Sequence, residues 1–102
     1  MSELTESALR EALKDVFDPE LGFNIVDLGL VYGIAINGGA VVVNMTLTTP
    51  GCPASEIIQG GVYQRIWFID DVSDVEVKLV WDPPWSADLM SPVAKEHFGI
   101  AT

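Results

Sequence analysis

Between Leu28 and Thr48 the hydrophobic pattern runs at period two on both sides of an Asn37-Gly38-Gly39 turn, which predicts an antiparallel hairpin. Leu28, Leu30, Tyr32, Ile34 and Ile36 share one face of the outgoing strand, and Gly29, Val31, Gly33 and Ala35 share the other. In the returning strand Val41, Val43, Met45 and Leu47 alternate with Val42, Asn44, Thr46 and Thr48. One face of this hairpin is strongly apolar and needs a cover from elsewhere in the chain.

The cover is predicted in a helix from about Pro53 to Ile69, where Ile58, Val62, Ile66 and Ile69 form a stripe. Gly60-Gly61 weakens it by roughly 1 kcal/mol per glycine relative to alanine, a tolerable loss if the helix must approach the sheet closely. An earlier helix is capped by Thr5, carries Leu9, Leu13, Val16 and Phe17 at helical spacing, and ends at Asp18-Pro19. Residues 19–27 show no period and read as an ordered acidic loop. Val75, Val77, Leu79 and Trp81 mark a third strand, and Asp82-Pro83-Pro84-Trp85 breaks it. Ser91 and Pro92 suit the cap and first position of a short final helix that Gly99 stops. The order is α-β-β-α-β-α, with no repeat or linker. Residues 1–102 are therefore expected to form one α+β domain, a small sheet covered by helices.

Five Lys and Arg against fifteen Asp and Glu give a net charge of −10. That balance offers no basic surface for a phosphate backbone or an anionic membrane, so neither nucleic acid nor membrane is expected as a partner. A basic protein would be steered toward the chain. No apolar run approaches the ~18 residues that span a bilayer, and MSELTESALREAL has neither the basic nor the apolar region of a signal peptide. A soluble, cytoplasmic protein is expected.

The chain has one Cys and one His, too few for an internal disulfide or a four-ligand zinc site. Cys52 lies in Thr48-Thr49-Pro50-Gly51-Cys52-Pro53, between a predicted strand and a predicted helix, with Pro53 suited to the first helical position. A cysteine at or beside the N-cap gains thiolate character from the helix end, and the thiolate is the reactive, metal-binding form. The competing reading is a small apolar residue packed under a turn. Glu56 in the first helical turn opposes the activation, as would Asp18, Glu20 and Asp27 if they converged on Cys52, although such carboxylates could help hold a cation. Taken alone, Asp18 and Glu20 also fit a helix stop and a solvated turn, Asp27 fits a turn-forming hydrogen bond, and Thr48 and Thr49 fit ordinary strand positions. His97, in the last turn of the final helix, is not expected to be a ligand. Trp67, Phe68, Trp81 and Trp85 fit either core packing or an apolar patch for a partner.

Three segments, DPELGFNIVDLGLVYGI at 18–34, MTLTTPGCP at 45–53 and VWDPPWSADLMS at 80–91, together resemble the SufT-like and PaaD-like family of iron–sulfur assembly factors. The resemblance implies the α+β fold of that family and a role in maturing iron–sulfur proteins rather than a metabolic reaction. It also implies a functional pocket at Asp18, Glu20, Thr48, Thr49 and Cys52, and Asp27 and Gly51 are expected to belong to the same pocket. The PaaD-like branch, linked to a phenylacetyl-coenzyme A oxygenase, typically carries a cysteine-rich C-terminal portion that these residues do not include.

The expected function is therefore non-enzymatic: an adaptor in iron–sulfur maturation, with Cys52 binding a cluster or iron transiently or accepting sulfur. One thiolate cannot replace the usual four, so a stable cluster would need a second copy in a homodimer, a partner's cysteines or a small thiol. The expected partners are the assembly machinery and client apoproteins. Two other classes stay open: a thiol enzyme with Cys52 as nucleophile, for which His97 is the only histidine base, and an interaction module in which Cys52 is structural.

Overall fold

The computed structural model describes residues 4–48 and 54–100. Helix α1 spans Glu6–Leu13, with the Thr5 hydroxyl accepting from the Ala8 N–H at 3.0 Å, and it buries Leu9 and Leu13. It ends four residues earlier than the spacing predicts. The N–H groups of Lys14, Asp15 and Val16 each donate to the carbonyl three residues back, so the chain tightens out of the helix. Asp18 must also be extended because Pro19 follows it.

A small antiparallel ladder joins the end of the predicted first helix to the segment read as an ordered acidic loop. Strand β1 (Phe17–Asp18) pairs with β2 (Phe23–Asn24), Phe17 opposite Asn24 and Asp18 opposite Phe23. Two-residue strands are too short to leave a periodic signal in the sequence.

The hairpin is present as β3 (Val31–Asn37) and β4 (Ala40–Met45). Its outgoing strand starts at Val31 rather than Leu28, and a register shift between Val31 and Gly33 adds a residue opposite β4. That bulge reverses the face assignment at its N-terminal end: Val31 and Ile34 are buried, while Tyr32 is only half-buried. Leu28 and Leu30 are buried as predicted, but from a turn that precedes the strand. Strand β5 (Asp74–Leu79) lies parallel to β4, giving the order β3-β4-β5, and ends two residues before Trp81.

Helix α2 (Ser55–Trp67) makes the crossover between β4 and β5 and buries Ile58, Val62 and Ile66 in the core with Val41, Val43 and Met45. It is shorter than predicted at both ends. Ala54 holds the N-cap position, and Ile69 lies beyond the helix, partly buried against the core. A Cβ at Gly61 would stand 3.2 Å from Val16 Cγ1, so the close approach is to the chain after α1 rather than to the sheet. Gly60 faces open space.

After a 3₁₀ turn at Ala87–Leu89 comes α3 (Pro92–His97), with the Ser91 hydroxyl accepting from the Ala94 N–H at 3.3 Å. Its stop at Gly99 matches expectation: Gly99 N–H reaches Glu96 O at 3.2 Å and Ile100 N–H reaches Lys95 O at 2.8 Å. The fold is the expected α+β arrangement, helices over a small sheet.

Candidate functional site

All three strands of the larger sheet meet the rest of the chain at one edge. Antiparallel register sets Val31, the start of β3, opposite Met45, the end of β4, and parallel register sets Met45 beside Leu79, the end of β5. The ladder continues past the strand ends: Thr46 N–H donates to Leu30 O and Val80 N–H to Met45 O, both at 2.8 Å. Beyond this edge the Tyr32 hydroxyl donates to Pro83 O, Trp85 Nε1 donates to Leu28 O, and Ser91 N–H donates to Asp27 O, each at 2.8 Å. The described parts of the three motif segments, far apart in the chain, are thus bonded into one rim.

Asp18 lies before this rim, 1% exposed. Burying a carboxylate is costly unless donors satisfy it, and its Oδ1 accepts from Glu20 N–H at 2.8 Å and Leu21 N–H at 3.3 Å. Asp18 is therefore a buried organiser of the β1–β2 turn and not part of a solvated one. Glu20, held beside it by that backbone bond, has an exposed side chain.

Asp27 belongs to a different local structure. Residues 25–28 make a single helical turn that closes as Gly29 N–H reaches Val26 O and Leu30 N–H reaches Ile25 O, both at 3.0 Å. Gly29 sits at φ +82°, where a side chain is strained, and a Cβ there would lie 2.7 Å from the Leu89 carbonyl carbon. The turn is capped from both sides: Asn24 Oδ1 accepts from Asp27 N–H at 2.8 Å, and Asn24 Nδ2 donates to Asp27 Oδ2 at 2.7 Å. Burial pushes the Asp27 carboxyl up, but hydrogen bonds from Asn24 and Ser91 and the nearby Lys14 charge outweigh it and hold the group below its ordinary value. Asp27 lines a cleft of about 560 Å³ against α1 with Arg10 and Lys14. It therefore closes its own turn and ties that turn to Ser91.

Of the remaining expected site residues, Thr48 is half-buried where the chain leaves the rim, while Thr49, Gly51 and Cys52 lie outside the described residues. The helix that follows begins later than the thiolate argument assumed: its N-cap is Ala54, two positions after Cys52. Among the described residues no three His, Asp or Glu side chains are grouped to hold a metal ion. The His97 ring packs 4.8 Å from the rings of both Phe23, tilted, and Phe98, edge-on.

The sequence reading overlooked Thr46. It shares the outward parity of Val42 and Asn44, yet it is fully buried beyond the end of β4, and among the described residues its Oγ1 has no hydrogen-bond partner. The only hint was a third threonine in the run Thr46-Leu47-Thr48-Thr49. The aromatic group also divides. Trp85 is tied inward through its bond to Leu28, whereas Trp67, Phe68 and Trp81 are exposed.

A family model described as "Iron-sulfur cluster assembly protein" matches residues 6–79, the stretch from α1 through β5. The chain belongs to this iron–sulfur cluster assembly family. Among its relatives, the "Fe-S protein maturation auxiliary factor YitW" of Bacillus subtilis is 44% identical over 98% of this chain and 99% of its own length. The "Fe-S protein maturation auxiliary factor SufT" of Staphylococcus aureus is 45% identical over 84% of this chain and 99% of its own. A crystal structure from Bacillus anthracis, titled as a domain of unknown function, superposes with a TM-score of 0.87 at 42% identity, covering 94% of this chain and 92% of that one. The likeness to the family that the three motifs carry is thus also a likeness of fold.

Proposed function

We propose that this chain is an auxiliary factor for maturing iron–sulfur proteins, acting in the cytoplasm, and that Cys52 is its transient ligand for iron, sulfur or a cluster. The observation that carries the reading is the convergence of the three motif segments on one rim, in a chain whose relatives of matching length are named as maturation factors. Asp18 holds the loop that presents Glu20, and Thr48 leads from the rim toward Cys52. A thiolate that binds cluster iron is displaced by a client's cysteine thiolate, one Fe–S bond replacing another with no change in oxidation state. With one cysteine the remaining ligands come from the partner, which suits transfer and not storage. That its relatives are named auxiliary factors supports reading the chain as an adaptor and not an enzyme, with assembly proteins and client apoproteins as its partners. Near-complete coverage of general maturation factors favours the general role over the PaaD-like one. No helix among the described residues is long and apolar enough to cross a membrane.

The test is the activity of several iron–sulfur enzymes in cells lacking the gene, complemented at matched protein levels with wild type or Cys52→Ser. Failure of the Cys52→Ser cells alone is the expected result. Equal rescue by both would remove the thiol from the mechanism, and full enzyme activity in the uncomplemented deletion would overturn a non-redundant maturation role.

A further inference from the structure

Helix α2 is apolar on more than the face that meets the core. Ile57, Tyr63, Trp67 and Phe68 are exposed, Ile57 at 66% and Phe68 at 79%, and Tyr63 stacks on Trp67 with ring centroids 6.0 Å apart. On one side this outer surface becomes a groove of about 390 Å³ between α2 and the chain that follows α1. Val16, Phe17, Ile57, Gly61 and Phe68 line it, with Phe17 54% exposed, and the lack of a side chain at Gly61 keeps the helix close to Val16. Ile57 to Phe68 is eleven residues of helical rise, about 16 Å, enough for three turns of a second helix laid alongside.

The charges around the groove select its occupant. Arg65 is the only cation in its wall and is paired with Asp15 at 3.0 Å. Exposed Glu56 adjoins Ile57 in the chain, and exposed Asp70 follows shortly after Phe68. Elsewhere Arg10, Lys14 and Lys78 are likewise paired with Glu6, Glu11 and Glu76, so among the described residues Lys95 is the only Lys or Arg without an ion pair. A second copy would bring another −10 to the surface with almost no uncommitted cation to offset it. A helix with an apolar stripe and lysine or arginine flanks matches both the groove and its surroundings.

We infer that the groove between α2 and the Asp15–Phe17 segment is a docking site for a basic amphipathic helix of a partner protein. The inference rests on the groove and the charge distribution alone and is independent of what Cys52 carries.

The probe is a leucine–lysine peptide of about 18 residues, about five helical turns, with leucines at helical spacing. Two control peptides replace its lysines by glutamates or its leucines by serines. Binding to the full chain is followed by amide chemical shifts and titration calorimetry, with wild type compared against Ile57→Ser/Phe68→Ser. Both substituted side chains are mostly exposed, and an unchanged melting temperature confirms that the double variant is folded. The expected result is a shift map centred on Ile57, Gly61 and Phe68, with affinity falling roughly tenfold or more for the double variant and for each control peptide. Shifts centred elsewhere, equal affinity in the double variant, or equal binding of the serine peptide would overturn the site. A concentration-dependent dimer of wild type that the double variant abolishes would overturn the occupant in favour of a second copy.

Discussion

Ser91 N–H donates to the Asp27 carbonyl oxygen at 2.8 Å, and the Ser91 hydroxyl helps hold the Asp27 carboxyl below its ordinary value. The same hydroxyl oxygen accepts from Ala94 N–H and so caps α3. One residue therefore closes a helix with its side chain and fastens it to the turn before β3 with its backbone. Thr5 only caps. Thr5→Ala should cost about 1 kcal/mol and Ser91→Ala about 2 kcal/mol, because the second change also removes a hydroxyl that favours the charged Asp27 carboxylate. Urea titration of both variants measures the difference, and equal losses would mean that the Ser91 hydroxyl does nothing for Asp27.

The depressed Asp27 carboxyl predicts a pH dependence of definite sign. A group with a lower pKa in the folded than in the unfolded state stabilises the fold fully above the unfolded value, near 3.9, and ceases to do so as pH falls through the folded value. The gap in melting temperature between wild type and Asp27→Asn should be widest near neutral pH and shrink below about pH 4. A gap that widened on acidification would contradict the assignment.

Gly29 combines a positive φ with the Leu89 backbone lying where a side chain would begin. Gly29→Ala should destabilise the protein by about 3 kcal/mol, the sum of a left-handed backbone penalty and a displaced backbone contact. A loss under about 1 kcal/mol in urea would show that the 87–89 turn can move away freely.

The Thr46 hydroxyl is buried without a partner among the described residues, an arrangement with a cost of about 1–3 kcal/mol. Thr46→Val keeps the shape and removes the unpaired oxygen, so its melting temperature should rise. If maturation activity in the complementation assay fell while stability rose, the hydroxyl would be serving the rim; a fall in stability would mean that it has a partner after all.

Local signals made much of the fold legible. The period-two run and the Asn-Gly-Gly turn located the hairpin, Ile58, Val62 and Ile66 located its cover, and Ser91, Pro92 and Gly99 framed α3. What escaped was set by geometry at a distance. A bulge shifted the facing of Val31 and Tyr32, and the strand order depends on β5 lying beside β4 with α2 as the crossover. Asp27 fits the turn-forming hydrogen bond read for it, but Asp18, read as a helix stop and solvated turn, is buried over its own turn by donors that no spacing announces. The motif strings pointed to a shared site, but the bonds that join them cross between strand ends that no spacing identifies.

Those bonds also impose an order of assembly. The contacts from Tyr32 to Pro83 and from Leu28 to Trp85 span 51 and 57 residues, whereas the β3–β4 hairpin closes over a turn of two. Loop-closure entropy delays distant contacts relative to near ones. During synthesis the hairpin can form while the second half of the chain is still being made, but the rim cannot close until the residues around Trp85 have left the ribosome. The rim is thus among the last parts of the molecule to exist, and a chain interrupted before that point would have the sheet without the rim.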